Sequence, residues 1–362
     1  MIIVFKDSVS VKSLGKVIQY IEEQGLKAHV SKSDGRTILG IIGDERRIDK
    51  ELVRNFEGVE EVFPAMKPFK LVNREFKQED TVIPVRNLKI GGGSFSVIAG
   101  PCAVESREQI LEIASFVKEE GATILRGGAF KPRTSPYSFQ GLGLKGLEYL
   151  AEAREKTGLA IITEVMGSEE VSMVEEYCDI FQIGARNMQN YRLLTAVGKT
   201  RKPVMLKRGL MATIEEFLLA AEYIYSEGNP NIILCERGIR TFETYTRNTL
   251  DISAVPIVKS LSHHPIFVDP SHAAGKRSLV PSLSCASVAA GADGIMVEVH
   301  PRPDEALSDG AQSLSFKEFS QMMKAICTIA RTLGKSFATR NPFSDSADSS
   351  MQKRNVFIGD AT

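Results

Sequence analysis

FSVIAGPCAVESREQILEIASFVKEEGATILRGGAF, residues 95–130, reads as one complete strand–helix–strand unit. The runs FSVIAG and ATIL are almost wholly apolar, and the segment REQILEIASFVKEEG between them carries apolar residues at helical spacing before ending in Gly121. Continuously apolar strands on either side of a helix imply parallel strands buried on both faces. Downstream the unit recurs as LAIITEV, DIFQIGA, PVMLKRG, NIILCERG, PIFVDPSH and GIMVEVH, with helical stretches such as LKGLEYLAEAREKTG and IEEFLLAAEYIYSEG between them. Eight strands over about 240 residues predict an α/β fold of the (β/α)8 TIM-barrel type rather than an open sheet. SFKEFSQMMKAICTIARTLGK supplies the last helix, so the barrel is expected over residues 94–338.

Upstream the pattern changes. Residues 1–66 read as strand (MIIVFKD), amphipathic helix (VKSLGKVIQYIEEQG), two strands joined at Asp34-Gly35, helix (DKELVRNFEG) and strand (VEEVFPA). Asp-Gly between two β-type runs is a strong hairpin signal. A βαββαβ order is the ferredoxin-like split motif, a shape that often binds effectors or dimerises. Residues 67–93 are expected to be a charged linker without periodicity, with a short hairpin in TVIPVRNLKIGGG. Residues 339–362, rich in Ser and Asp, read as a flexible tail.

The bulk properties exclude several classes. With 45 basic and 45 acidic residues the formal net charge is zero, which argues against a nucleic-acid surface. No apolar run approaches the ~20 residues of a membrane span, and the start lacks a signal-peptide pattern. The five cysteines are scattered without a CxxC pair, so a reducing cytoplasm is expected rather than a disulfide framework.

Catalytic groups in such barrels gather at the C-terminal ends of the strands. Here those ends carry Gly100-Pro101-Cys102, Asp269-Pro270-Ser271-His272 and Glu298-Val299-His300, with Ser308-Asp309 shortly beyond. A thiolate, an imidazole and two carboxylates can converge there on one divalent cation. Such a mixed donor set suits Mn, Fe, Co, Zn or Cu better than Mg or Ca. The same rim carries Arg126, Lys131, Arg186, Lys207, Arg208 and Arg237. Rim carboxylates such as Glu164 or Glu236 can neutralise one or two of these cations. The rest point to a substrate bearing several negative charges, which guanidinium groups bind well.

GPCAVES, LRGGAFKPRTSPYSFQG, GARNMQN, VMLKRG, CERG, DPSHAAG and EVHPRPDEALSDG together resemble 3-deoxy-D-arabino-heptulosonate 7-phosphate (DAHP) synthase across residues 95–335. The N-terminal unit resembles the regulatory domain of one subgroup of short type I enzymes. The resemblance implies that Cys102, His272, Glu298 and Asp309 hold one divalent metal ion. It implies that Arg126, Arg186, Lys207 and Arg237 hold phosphoenolpyruvate, that Lys131 lies between the substrates, and that Arg133, Thr134 and Ser135 meet erythrose 4-phosphate. A homotetramer and feedback inhibition by tyrosine or phenylalanine are implied as well. His29 and Ser31 share one face of a hairpin strand, and the resemblance makes them candidates for the effector site; otherwise they are a solvent-facing pair. KDO 8-phosphate synthase, using arabinose 5-phosphate, is the alternative. It generally carries a KANRS-type segment where this chain has KPRTS, which together with the added domain favours the DAHP branch.

The implied reaction joins C3 of phosphoenolpyruvate to the aldehyde carbon, after which water adds at C2 and phosphate leaves. Lys131 is the candidate proton carrier, Cys102 and His272 act through the metal, and Glu164 is a candidate for organising the water.

Overall fold

The computed structural model describes residues 1–6, 9–33, 36–43, 45–63, 68–131 and 137–337. The Asp34-Gly35 turn, the substrate segment Arg133, Thr134 and Ser135, and the tail at 339–362 lie outside these residues.

The N-terminal unit runs β1 (Ile2–Phe5), α1 (Val11–Glu23), β2 (Lys27–Ser33), β3 (Arg36–Ile42), α2 (Lys50–Arg54) and β4 (Val59–Phe63). Its antiparallel sheet has the order β2-β3-β1-β4, the ferredoxin-like arrangement. Strand alternation divides the labour. Ile3 and Phe5 face inward with Val17, Ile21 and Val53 of the helices, whereas Ile2 and Ile38 join the core that continues into the barrel.

Two short strands, β5 (Ile83–Val85) and β6 (Leu88–Ile90), form the expected hairpin. Their side chains Ile83, Val85, Leu88 and Ile90 pack against the inward residues Ile98, Ile162, Met205 and Phe267 and so close one end of the barrel. The barrel strands follow as β7 (Ser94–Gly100), β8 (Ile124–Arg126), β9 (Ala160–Glu164), β10 (Ile180–Ile183), β11 (Val204–Lys207), β12 (Ile232–Glu236), β13 (Ile266–Val268) and β14 (Gly294–Glu298). All pair in parallel with their neighbours, and β14 returns to β7 through Gly294↔Ser96 to Glu298↔Gly100, which closes the ring. Between and after the strands lie α3 (Arg107–Glu119), α4 (Leu144–Thr157), α5 (Val171–Tyr177), α6 (Tyr191–Gly198), α7 (Ile214–Ser226), α8 (Ala254–Leu261), α9 (Pro270–Ala274), α10 (Val280–Ala289) and α11 (Phe316–Thr332). Two of these helices start at capping boxes, Thr213 with Glu216 and Ser315 with Glu318, where side chain and backbone satisfy each other's free donors. Among the described residues no helix is long and apolar enough to cross a membrane.

The linker is more ordered than its lack of periodicity suggests. Phe69, Leu71, Val72 and Phe76 are buried in the barrel's outer core. The Glu222 carboxylate on α7 accepts from the Leu71 and Val72 N–H groups at 2.9 and 3.1 Å. His263 bonds Thr81 Oγ1 at 2.7 Å and the Leu71 carbonyl at 2.8 Å. These are side-chain bonds, three of the four to backbone, and they leave no repeat in the sequence.

Burial pushes the His263 imidazole down from its ordinary 6.5 to about 4. Between these values the unfolded chain binds the extra proton. The stability from keeping His263 neutral is therefore fully present above pH 6.5 and lost as the pH falls to about 4. The loss amounts to about 3 kcal/mol, and His264, held well below its ordinary value by burial, adds in the same direction. A His263→Gln variant should show a shallower fall of Tm across this range; a slope equal to that of the parent chain would remove His263 from the account.

Candidate active site

Every barrel strand points its C-terminal end to the same rim, so residues far apart in the chain meet there. Cys102 follows β7, His272 lies on α9 after β13, Glu298 ends β14, and Asp309 lies on the loop beyond it. One potential ligand atom from each lies within 4.8 Å of all the others. Cys102 Sγ is 3.1 Å from Asp309 Oδ2, and His272 Nε2 is 3.4 Å from Glu298 Oε1. Asp309 adopts a left-handed backbone with φ of 52°, an uncommon conformation that Asp tolerates better than most residues.

Neighbouring groups fix this donor set. Asp269 Oδ2 accepts from His272 Nδ1 at 2.8 Å, which leaves Nε2 turned towards Glu298. Burial lowers the His272 pKa despite the pull of Asp269 and Glu298, which favours the neutral imidazole that a metal ion requires. Burial alone would raise the Glu298 carboxyl, but His272, Arg126 and Lys131 outweigh it and hold the group at about 2. Burial pushes the Cys102 thiol up to about 12; Glu298 adds to the push, while Lys131 opposes it. A buried thiol and two carboxylates in so small a space repel one another when ionised, and a divalent cation relieves that repulsion. The residues present fit such an ion.

Lys131 Nζ donates to both Cys102 Sγ and the Cys102 carbonyl, each at 3.0 Å. Gly128 makes room for this return, since a Cβ there would stand 2.8 Å from the Cys102 carbonyl oxygen and 2.8 Å from Lys131 Cδ. Beside the cluster opens a cavity of about 410 Å³, lined by Lys131, Arg186, Lys207, Arg237, Arg240 and Arg247 together with Glu164, Asp309 and His272. Six cationic side chains against two carboxylates give the lining an excess of positive charge.

The rim cations expected from the sequence divide into two sets. Arg126 is paired with Glu298 at 2.7 Å and Lys207 with Asp269 at 2.5 Å. Arg208 turns away to Glu236 and Asp251 at 2.9 and 2.8 Å, a structural role. Arg186 and Arg237 line the cavity without a carboxylate partner among the described residues. Sequence reasoning missed Arg240 and Arg247, which belong to the long loop after β12 and have no apolar strand beside them to mark them. It also missed Gln312 and the orienting role of Asp269, although the DPSH segment contains the latter. His29 is half-buried, with its ring 5.2 Å from that of Tyr225 and 5.9 Å from that of Phe76, against the barrel.

Glu164 reaches into the cavity and accepts from Gln182 Nε2 at 3.2 Å. A Cβ on Gly184 would stand 2.1 Å from Glu164 Oε1. The φ of Gly184, −66°, suits any residue, so Gly184→Ala acts through lost space alone. The expected result is a folded protein with kcat/KM lowered by about 10²-fold, the cost of misplacing a reacting group by roughly an ångström. Unchanged kcat/KM would show that the position of Glu164 does not matter to turnover.

Residues 73–333 match the model of the DAHP synthetase I family, and residues 1–67 match the DAHP synthase ferredoxin-like domain. A phospho-2-dehydro-3-deoxyheptonate aldolase from Thermotoga maritima is 56% identical over 334 residues, which span 92% of this chain and 99% of that protein. A 2-dehydro-3-deoxyphosphooctonate aldolase from Syntrophobacter fumaroxidans is 34% identical over 270 residues, 70% of this chain and 93% of that one. The crystal structure of the T. maritima phospho-2-dehydro-3-deoxyheptonate aldolase (DAHP synthase) is similar with a TM-score of 0.75 at 55% identity, covering 93% of this chain and 98% of that one. A truncated form of the T. maritima 3-deoxy-D-arabino-heptulosonate 7-phosphate synthase gives a TM-score of 0.70 at 56% identity, covering 74% and 99%.

Proposed function

This chain belongs to the DAHP synthetase I family and is an aldol-type, C–C bond-forming transferase, and from that premise we propose that it condenses phosphoenolpyruvate with erythrose 4-phosphate and water to give DAHP and phosphate. The observation that carries the reading is the junction of two features: a Cys, His, Glu, Asp cluster opening onto a strongly cationic cavity.

Cys102, His272, Glu298 and Asp309 hold one divalent ion, of Mn, Fe, Co, Zn or Cu, whose chemical contribution is Lewis-acid polarisation of the aldehyde carbonyl. Arg126, Arg186, Lys207 and Arg237 hold the carboxylate and phosphate of phosphoenolpyruvate; Arg186, Lys207 and Arg237 line the cavity, and Arg126 is also paired with Glu298 of the cation cluster. Arg133, Thr134 and Ser135 meet the phosphorylated aldose. Holding two polyanions in one cavity supplies the orientation that solution lacks. C3 of phosphoenolpyruvate attacks the aldehyde carbon, and Lys131 delivers a proton to the new hydroxyl. Glu164, steadied by Gln182, orients the water that adds at C2, and the hemiketal phosphate then expels phosphate.

The small domain receives tyrosine or phenylalanine at a site to which His29 and Ser31 contribute, and the chain works as a cytoplasmic homotetramer. The match of residues 1–67 to the family's ferredoxin-like domain supports a regulatory unit. Its test is aromatic amino-acid inhibition in His29→Ala, which should be weakened while the uninhibited rate stays within about twofold of the parent chain.

The decisive assay follows phosphoenolpyruvate consumption by metal-stripped protein re-supplied with Mn²⁺, comparing erythrose 4-phosphate with arabinose 5-phosphate. Strong preference for the four-carbon sugar is the expected result. Preference for the five-carbon sugar would transfer the enzyme to the KDO 8-phosphate branch.

A further inference from the structure

Gln312 ends a short helical turn that begins just after Asp309 and is 2% exposed. Its Nε2 donates to Glu298 Oε2 at 2.7 Å, and its Oε1 accepts from Arg247 Nη1 at 3.0 Å. A carboxylate only accepts and a guanidinium only donates, so the two partners permit a single orientation of the amide. The other Glu298 oxygen, Oε1, is taken by Arg126 at 2.7 Å and faces His272. Arg247 lines the cavity, and its remaining reach to Asp309 Oδ1 is long at 3.4 Å. Gln312 therefore joins Glu298 of the cation cluster to Arg247 of the anion cavity, beside the direct contact of Lys131 with the Cys102 thiol.

We propose that Gln312 is a positioning residue that couples occupancy of the cation cluster to occupancy of the anion cavity, a proposal that rests on the reading that Cys102, His272, Glu298 and Asp309 hold a divalent ion. An anion that orders Arg247 orders the Gln312 amide, and through it the Glu298 carboxylate. Linkage makes the effect reciprocal: a cation on Glu298 raises anion affinity by the same factor. A buried amide satisfied at both ends transmits such a bias because leaving either partner unpaired is costly.

The test uses the full chain, Co²⁺ as the cation, read by its thiolate charge-transfer absorption, and inorganic phosphate as the anion. In the parent chain phosphate should tighten Co²⁺ by a factor within the usual coupling range of about 5 to 150. Gln312→Met keeps the length and volume of the side chain and removes both bonds. It should weaken Co²⁺ by about 10- to 100-fold and bring the phosphate factor to within about twofold of one. Arg247→Met cuts the link from the other side. It should abolish the phosphate factor and, because Arg247 also touches Asp309 at 3.4 Å, shift phosphate-free Co²⁺ affinity by less than Gln312→Met does. A merely structural Gln312 would weaken both ligands without altering the factor. A factor retained in either variant, or absent from the parent chain, overturns the proposal. Failure of the parent chain to bind Co²⁺ through its thiolate is a different failure, that of the cation site itself.

Discussion

Cys102→Ala should lose its divalent cation and at least about 10³-fold in turnover, equivalent to about 4 kcal/mol of transition-state stabilisation. The expectation follows from what the substitution removes and what it leaves. Cys102 supplies the sulfur of a four-donor cluster, and its Sγ is within 3.1 Å of both Asp309 and Ser308. Alanine leaves three donors, an imidazole and two carboxylates, a poorer set for a cation that favours sulfur. The Cys102 carbonyl remains, so Lys131 keeps one of its two 3.0 Å bonds and stays where it is. The lost atom is a single buried sulfur in a rigid rim, so the barrel should fold. Metal content by elemental analysis and steady-state rates on re-supplied protein check both halves together. Full metal-dependent activity in Cys102→Ala would remove Cys102 from the ligand set.

Lys131→Met should lower kcat by about 10²- to 10⁴-fold, the usual contribution of a positioned proton carrier. Unlike Cys102→Ala, it should still bind its cation when the ion is saturating. Lys131 lines the cavity and touches the thiol at once, so it lies where a proton carrier would reach both the cluster and the bound polyanions. Methionine matches its unbranched shape, and the space beside Gly128 accepts it. The ammonium also favours the Cys102 thiolate, so the variant needs a higher cation concentration, and rates must be compared at saturation. Single-turnover measurement of C–C bond formation separates this step from product release. Near-normal turnover at saturating cation would end the proton-carrier role and leave Lys131 as a support for Cys102.

The contrast between these two residues shows how much of the site was legible beforehand. Both stand at the C-terminal ends of apolar strands, where a barrel makes linear position almost equivalent to place. The same logic marked Arg126, Lys207, Arg208 and Arg237, yet it could not say which would face substrate. Arg208 ends on Glu236 and Asp251, and Lys207 on Asp269. Arg240 and Arg247 left no trace because their loop has no period, and their place in the cavity depends on how that loop closes over the rim. The two expected effector residues were assigned to one strand face, but the partner of that face, Tyr225 on α7, is about two hundred positions away in the chain.

By itself the sequence determined the element order, the closed parallel barrel, the short hairpin ahead of it and the small antiparallel domain, because each depends on apolar periodicity and turn chemistry read within a few neighbouring residues. It also placed the four ligand candidates on one rim, since all eight strands of a parallel barrel point the same way. Only the tertiary structure decided the partner of each charge: Arg126 with Glu298, Lys207 and His272 sharing Asp269, Gln312 joining Glu298 to Arg247. Apart from His272 with Asp269, these bonds span from 14 to 172 positions. Pairings over such separations are selected by packing and by the cost of burying an uncompensated charge, which act only once the chain has closed on itself.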